Sequence, residues 1–236
     1  MKKLAFTIAM IASPASAQDM PVFAPSISWP EAASMSQFGL LASQARKRAA
    51  GRESTATVQP VSASDFTYAP SVVRRRVNLA RFIQRSRRAD PVGAVRMEKI
   101  FASTDVIAAM DRELGPHGLR IDNVADAYSV YWMNAWGAAN GDTSLPSRAT
   151  VQAVRAQVAE TLATVPAMRD ADDAVRQELA EALLVQAALI SATQETYKDD
   201  PAMAAKLAAA VRKGARESGL DLDAMTLTDR GLHPAG

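Results

Sequence analysis

IDNVADAYSVYWMNAWGAANGDT, residues 121–143, brings Tyr128, Tyr131, Trp132 and Trp136 close together in the chain and decides the fold class. At about 100° per residue, Val124, Tyr128, Tyr131, Trp132, Ala135, Trp136, Ala138 and Ala139 share one broad arc of a helix. Asp126, Ser129, Val130, Met133, Asn134 and Gly137 fill the other side. Aromatic rings in one arc suit a core-facing helix, because each buries a large apolar area and the alanines between them let a neighbour approach. The rings therefore read as core and not as an exposed stacking platform. The same spacing predicts a helix over about 123–140, capped by Asp122 or Asn123 and broken at Asn140-Gly141-Asp142. Any ligand is then expected on the opposite arc, where Asp126, Val130 and Asn134 stand one above another beside Gly137, with Asp122 just before them. One Asp does not make a metal site, since hard cations take several oxygen ligands. No metal and no cofactor is expected.

Working outward, the flanking text keeps a helical period. Ser71 is a good N-cap for VVRRRVNLARFIQRSRRA, whose Val73, Val77, Ala80 and Ile83 form one stripe. Asp90-Pro91 ends that helix and begins VGAVRMEKIFAS; Ser103 or Thr104 caps DVIAAMDREL, which Gly115-Pro116 closes. Pro146 opens SRATVQAVRAQVAETLATV and Pro166 closes it. The longest and most apolar helix runs from about Asp172 to Lys198 and should be central, with Leu179, Leu183, Val185, Leu189 and Ile190 buried. Gln186 on the same side should be a hydrogen-bond node between helices. Pro201 starts a last helix, ended at Gly219, and LDLDAMTLTDRGLHPAG is expected to cross the bundle as coil. No sustained Val/Ile/Thr alternation appears, so no sheet is expected. The predicted fold is all-α, an irregular bundle of about six helices.

The other end of the chain reads differently. MKKLAFTIAMIASPASAQ has a Lys2-Lys3 start, a short apolar run and small residues at Ala15-Ser16-Ala17, the pattern of a bacterial signal peptide cleaved after Ala17. A periplasmic or secreted protein follows. The apolar run is too short to span a bilayer, which takes roughly 20 residues, and no later segment is long and apolar enough. Residues 18–65 are rich in Pro, Ser and Ala without a period, and should form a poorly ordered arm with one short helix over SQFGLLASQARKRAAGRE. Phe66 and Tyr68 would anchor it to a single helical domain over 66–236. The chain has no Cys, so the core holds the fold without disulfides.

Charge is unevenly spread. Residues 18–100 carry 13 Lys and Arg against 6 Asp and Glu, whereas residues 101–236 carry 12 against 19. Such halves can dock on each other or offer a basic arm to an acidic partner. Arg74, Arg75, Arg81 and Arg85 in the basic helix either pair with the acids of 170–181 or contact an envelope protein, an anionic lipid or a polysaccharide. No nucleic acid is expected, because export removes it and the mature chain is neutral overall.

FTYAPSVVRRRVNLARF, IFASTDVI, NVADAYSVYWMNAWGAANG, AVRAQVAETL, QELAEALLVQAALISA and GLDLDAMTLTDRGL together resemble a family of exported proteobacterial proteins classed as a domain of unknown function. The resemblance covers about 66–232 in order. It implies a single exported domain, and it brings no catalytic residues to carry over.

Catalysis is poorly supplied. His117 and His233 lack ligand spacing, and there is no nucleophile elbow, phosphate-cradling glycine loop or zinc-protease motif. The expected function is a non-enzymatic binding or interaction module. The alternative is a glycan hydrolase of the cell wall using carboxylates drawn from Glu113, Asp122 and Asp126.

Overall fold

The computed structural model describes residues 63–235. The expected signal peptide and most of the arm, including its short helix, lie outside the described residues. The order is α1 (Val72–Ala89), α2 (Pro91–Ser103), α3 (Val106–Leu114), α4 (Val124–Asn140), α5 (Arg148–Ala163), α6 (Pro166–Arg169), α7 (Asp173–Thr196) and α8 (Pro201–Glu217). Two strands, β1 (Met225–Thr228) and β2 (Gly231–Pro234), follow. The helical class is as expected, with eight helices among the described residues where about six were predicted.

The helix starts are local chemistry. Ser71, Asp90, Asp105, Asn123, Ser147, Asp172 and Asp200 each accept a backbone N–H from the first turn of the helix they precede. Pro91 and Pro201 stand just inside helix starts, where a missing N–H costs nothing. Pro166 does more than close α5: it opens the single turn of α6. Gly141 ends α4 at φ 65°, a left-handed conformation that a side chain resists.

α4 and α7 pack together as the central pair, with α5 and α8 against α4, and α1 and α3 against α7. Tyr128, Tyr131 and Trp132 are buried, and the Tyr131 and Trp132 rings meet edge to face at 4.9 Å. Leu179, Leu183, Val185 and Ile190 are buried in α7, and Leu189 is half-buried. Phe66 and Tyr68 are buried too; the Tyr68 hydroxyl donates to Ile121 O at 2.7 Å and its backbone N–H to Asp122 O at 3.0 Å.

Three expectations are corrected. First, the polar side of α4 is closed over its first half: Asp126, Ser129 and Val130 are as buried as the rings, and only Met133 and Asn134 on that side stay half-buried. Second, Val73, Val77 and Ala80 of α1 face solvent, and only Ile83 of that stripe is buried. The inward side of α1 is polar because α7 offers it Gln177, Glu178 and Glu181. Third, the tail is an antiparallel hairpin turning at Asp229-Arg230, with Thr228 opposite Gly231. A hairpin this short is marginal alone. α5 supports it, for Gln157 Oε1 accepts the Leu232 N–H at 2.9 Å, and a Cβ on Gly231 would strike that oxygen at 2.3 Å.

Candidate functional site

Among the described residues, two buried polar clusters and an open cleft stand out. In the first cluster, Glu181 of α7 is 1% exposed and accepts from Arg75 Nε at 3.0 Å, Asn78 Nδ2 at 2.8 Å and Gln177 Nε2 at 2.8 Å. Gln177 also accepts from Arg74 Nε at 2.8 Å and binds both backbone groups of Ser71. This ties the first turns of α1 to α7. Arg81 and Arg85 share Glu178, at 3.1 and 2.8 Å, while Arg75 reaches on to Asp105 at 3.3 Å. Arg75, Arg81 and Arg85 thus pair with acids of α7, while Arg74 bonds to the neutral Gln177. The amide node between helices is Gln177, nine residues before the expected Gln186.

The second cluster surrounds Asp126, which is 0% exposed. Arg155 of α5 grips it with both Nε and Nη2, and the Arg120 backbone N–H donates to it at 2.9 Å. Burial pushes this carboxyl above the usual range, and the Arg155 guanidinium opposes that. Asp122 is half-buried and holds the Arg120 side chain in a fork, with N···O distances of 2.8 and 2.6 Å. Neither carboxylate faces open space as expected. They fix the turn that enters α4.

The cleft lies at the other end of α4. It has a volume of about 1020 Å³ and is walled by the end of α3, the second half of α4, the 141–147 loop, α5, the last turns of α7 and β1 with its turn. Met110, Leu114, Val130, Met133, Trp136 and Leu227 supply apolar surface; Asn134, Ser191, Gln194, Glu195 and Lys198 supply polar groups. Gly137 lets the loop stand close, because a Cβ there would meet Asp142 O at 2.8 Å. Gln194 Nε2 donates to that same oxygen at 3.0 Å and Asp142 N–H to Gly137 O at 2.8 Å, which pins the loop to α4 and α7. Trp136 is half-buried, its indole N–H donating to Met225 O at 3.0 Å. Asn134 gives an amide proton to Val130 O at 2.8 Å and lines the cleft. Asp229 accepts from Ser147 and, at 2.7 Å, from Thr150; these bonds hold its carboxyl below the usual range.

Of the predicted contacts, only Asn134 lines this cleft; Asp122, Asp126, Arg74, Arg75, Arg81 and Arg85 do not. The sequence reading missed Ser191, Gln194 and Lys198, which carry no motif. The break at Asn140-Gly141-Asp142 was the one local signal of a loop there. Among the described residues, no group of three His, Asp or Glu side chains could hold a metal ion. Nor is any helix among them long and apolar enough to cross a membrane.

A family model described as a family of unknown function (DUF6683) matches residues 4–234. The chain belongs to that family. The match extends beyond the 66–232 stretch that carried the resemblance and takes in the N-terminal segment. Neither the curated proteins nor the solved structures gave a match. The membership brings no activity with it, so function rests on the geometry.

Proposed function

We propose that the protein is an exported, non-enzymatic binding module that takes a small amphipathic ligand in the cleft beside α4. One observation carries this reading: about 1020 Å³ of open volume with apolar and polar surface side by side, where the rest of α4 is closely packed. Ligand sites commonly have that composition, with apolar walls for affinity and a few polar groups for orientation. Trp136, Met133 and Leu227 would take the apolar part of the ligand, and the Asn134 amide and Ser191 its polar end. The hydrolytic alternative finds less support, because Glu113, Asp122 and Asp126 all stand outside the cleft and the last two are held by arginines. Export rests on Lys2-Lys3, the short apolar run and Ala15-Ser16-Ala17.

The test uses anilinonaphthalene sulfonate as an amphipathic probe. The folded wild type should bind it saturably with a change in Trp136 emission. Ser191→Trp, which narrows the cleft, should weaken that binding while the thermal melt stays cooperative. Probe binding that never saturates, or that is unchanged in Ser191→Trp, would end the proposal. Clearing of isolated cell wall in a turbidity assay would favour the hydrolase instead. Export is tested by mass spectrometry of secreted protein, which should begin at Gln18.

A further inference from the structure

The orientation of α1 gives it an apolar surface that the other described residues leave exposed. Large exposed apolar side chains among the described residues are Val72, Val73, Val77, Val92, Val95 and Leu145. Scattered single ones are normal on any protein. Here five of the six lie on the α1–α2 hairpin, and Val73 reaches 71% exposure. They recur at helical spacing: Val73, Arg76, Val77, Ala80 and Gln84 run along the solvent side of α1, and Val92, Val95, Arg96 and Lys99 along that of α2.

The arginines of α1 are sorted in the same way. Arg74, Arg75, Arg81 and Arg85 are consumed by Gln177, Glu178 and Glu181. Arg87 pairs with Glu98 across the hairpin. Arg76, Arg88, Arg96 and Lys99 are exposed and make no ion pair among the described residues. Largely exposed valines are therefore interleaved with cations that make no ion pair among the described residues.

We propose that the solvent side of the α1–α2 hairpin docks on an anionic lipid surface. Charge complementarity selects an anionic partner. A second copy of this chain would meet the same four cations in a two-fold interface, which is repulsive. A polysaccharide would satisfy the cations but leave the valines in water, whereas a bilayer interface takes both, as it does for amphipathic helices with a basic polar face. The hairpin carries no exposed aromatic residue, so it lacks the usual anchor of a protein interface. Valine is short, so insertion is shallow and attachment is salt-sensitive. The face is separate from the cleft, and the proposal does not depend on what the cleft binds.

The experiment is co-sedimentation of the full chain with phosphatidylglycerol-containing vesicles and with pure phosphatidylcholine vesicles, at low and high salt. Binding is expected only to the anionic vesicles and only at low salt. Arg76→Gln with Arg96→Gln should weaken it on the order of 25-fold, about fivefold per cation. Val73→Ser with Val77→Ser should weaken it several-fold at unchanged melting temperature, and Val73→Trp should tighten it. No preference for anionic vesicles overturns the proposal. So does wild-type affinity in both double variants, or failure of Val73→Trp to tighten binding. Equal affinity for polygalacturonate, insensitive to the valines, would assign the face to a polysaccharide and overturn it as well. Because Val73→Trp reads a gain, instability of a serine variant does not shield the proposal.

Discussion

Replacing Asp126 with Ala removes several contacts from one buried carboxylate: the two-point grip of Arg155, with Nη2 at 3.2 Å, and the Arg120 N–H at 2.9 Å. Losing one partner of a fully buried ion pair costs about 3–5 kcal/mol, because the other charge is stranded. Arg155 retains 23% exposure, so its guanidinium can turn toward water, and the expected cost falls to about 2–3 kcal/mol. For a domain of this size each kcal/mol moves the melting temperature by roughly 2–4 °C, so a drop of about 5–10 °C is expected. Asp126→Asn keeps an acceptor for the Arg120 N–H and should cost about 1 kcal/mol less. Arg155→Met leaves Asp126 buried without its counter-charge, so the two changes should not add. A double-mutant cycle in urea should give a coupling above about 1 kcal/mol. A loss below about 0.5 kcal/mol for Asp126→Ala, or strict additivity with Arg155→Met, would refute the reasoning and return Asp126 to the list of free surface groups.

Other outcomes follow from the same geometry. Trp132→Ala should cost about 3–5 kcal/mol in chemical denaturation, as for other core aromatics. Trp136→Ala, which removes a half-buried ring at the cleft, should cost clearly less and should instead enlarge the cleft; equal losses would contradict this division of the aromatic helix. The Asp229 carboxyl, followed by carbon NMR, should titrate below the ordinary value of 3.8 because Ser147 and Thr150 bond its charged form. A depressed folded value means that its contribution is full above 3.8 and is lost as the pH falls through the folded value, so hairpin resonances should broaden only in that acid range. Thr150→Val should move the titration back toward 3.8. Leu183→Ala in the centre of α7 should cost about 2–5 kcal/mol, and an unchanged melting temperature would make that helix peripheral.

Much of the helical framework is legible in the sequence. Ser71, Asn123, Gly141 and the prolines at 91 and 201 act through hydrogen bonds and dihedrals within a few residues, so their signals are local. The burial of Tyr128, Tyr131 and Trp132 was readable for a similar reason, since no other placement of so many rings is favourable in water. The hairpin was not, because MTLT and GLHP are each too short for an alternation to stand out, and Gln157 and Trp136 hold them from far away in the chain. The site was least legible. Asn134 was reached from its place on a helical arc, but its arc-mate Asp126 turned out to be sealed, because periodicity says where a side chain points and not what stands opposite.

Sequence alone thus determined the helical class, most helix ends, the core rings and the opposed charges of the two halves, all properties carried by neighbouring residues or by composition. Tertiary structure alone decided which side of α1 is inside. By helical period its valines belong in the core. Gln177 and Glu181, more than a hundred residues later, instead present buried polar groups that must be satisfied, and only the Arg74, Arg75 and Asn78 side of α1 can satisfy them. An unpaired buried carboxylate costs more than an exposed valine, and so α1 turns its valines to the solvent.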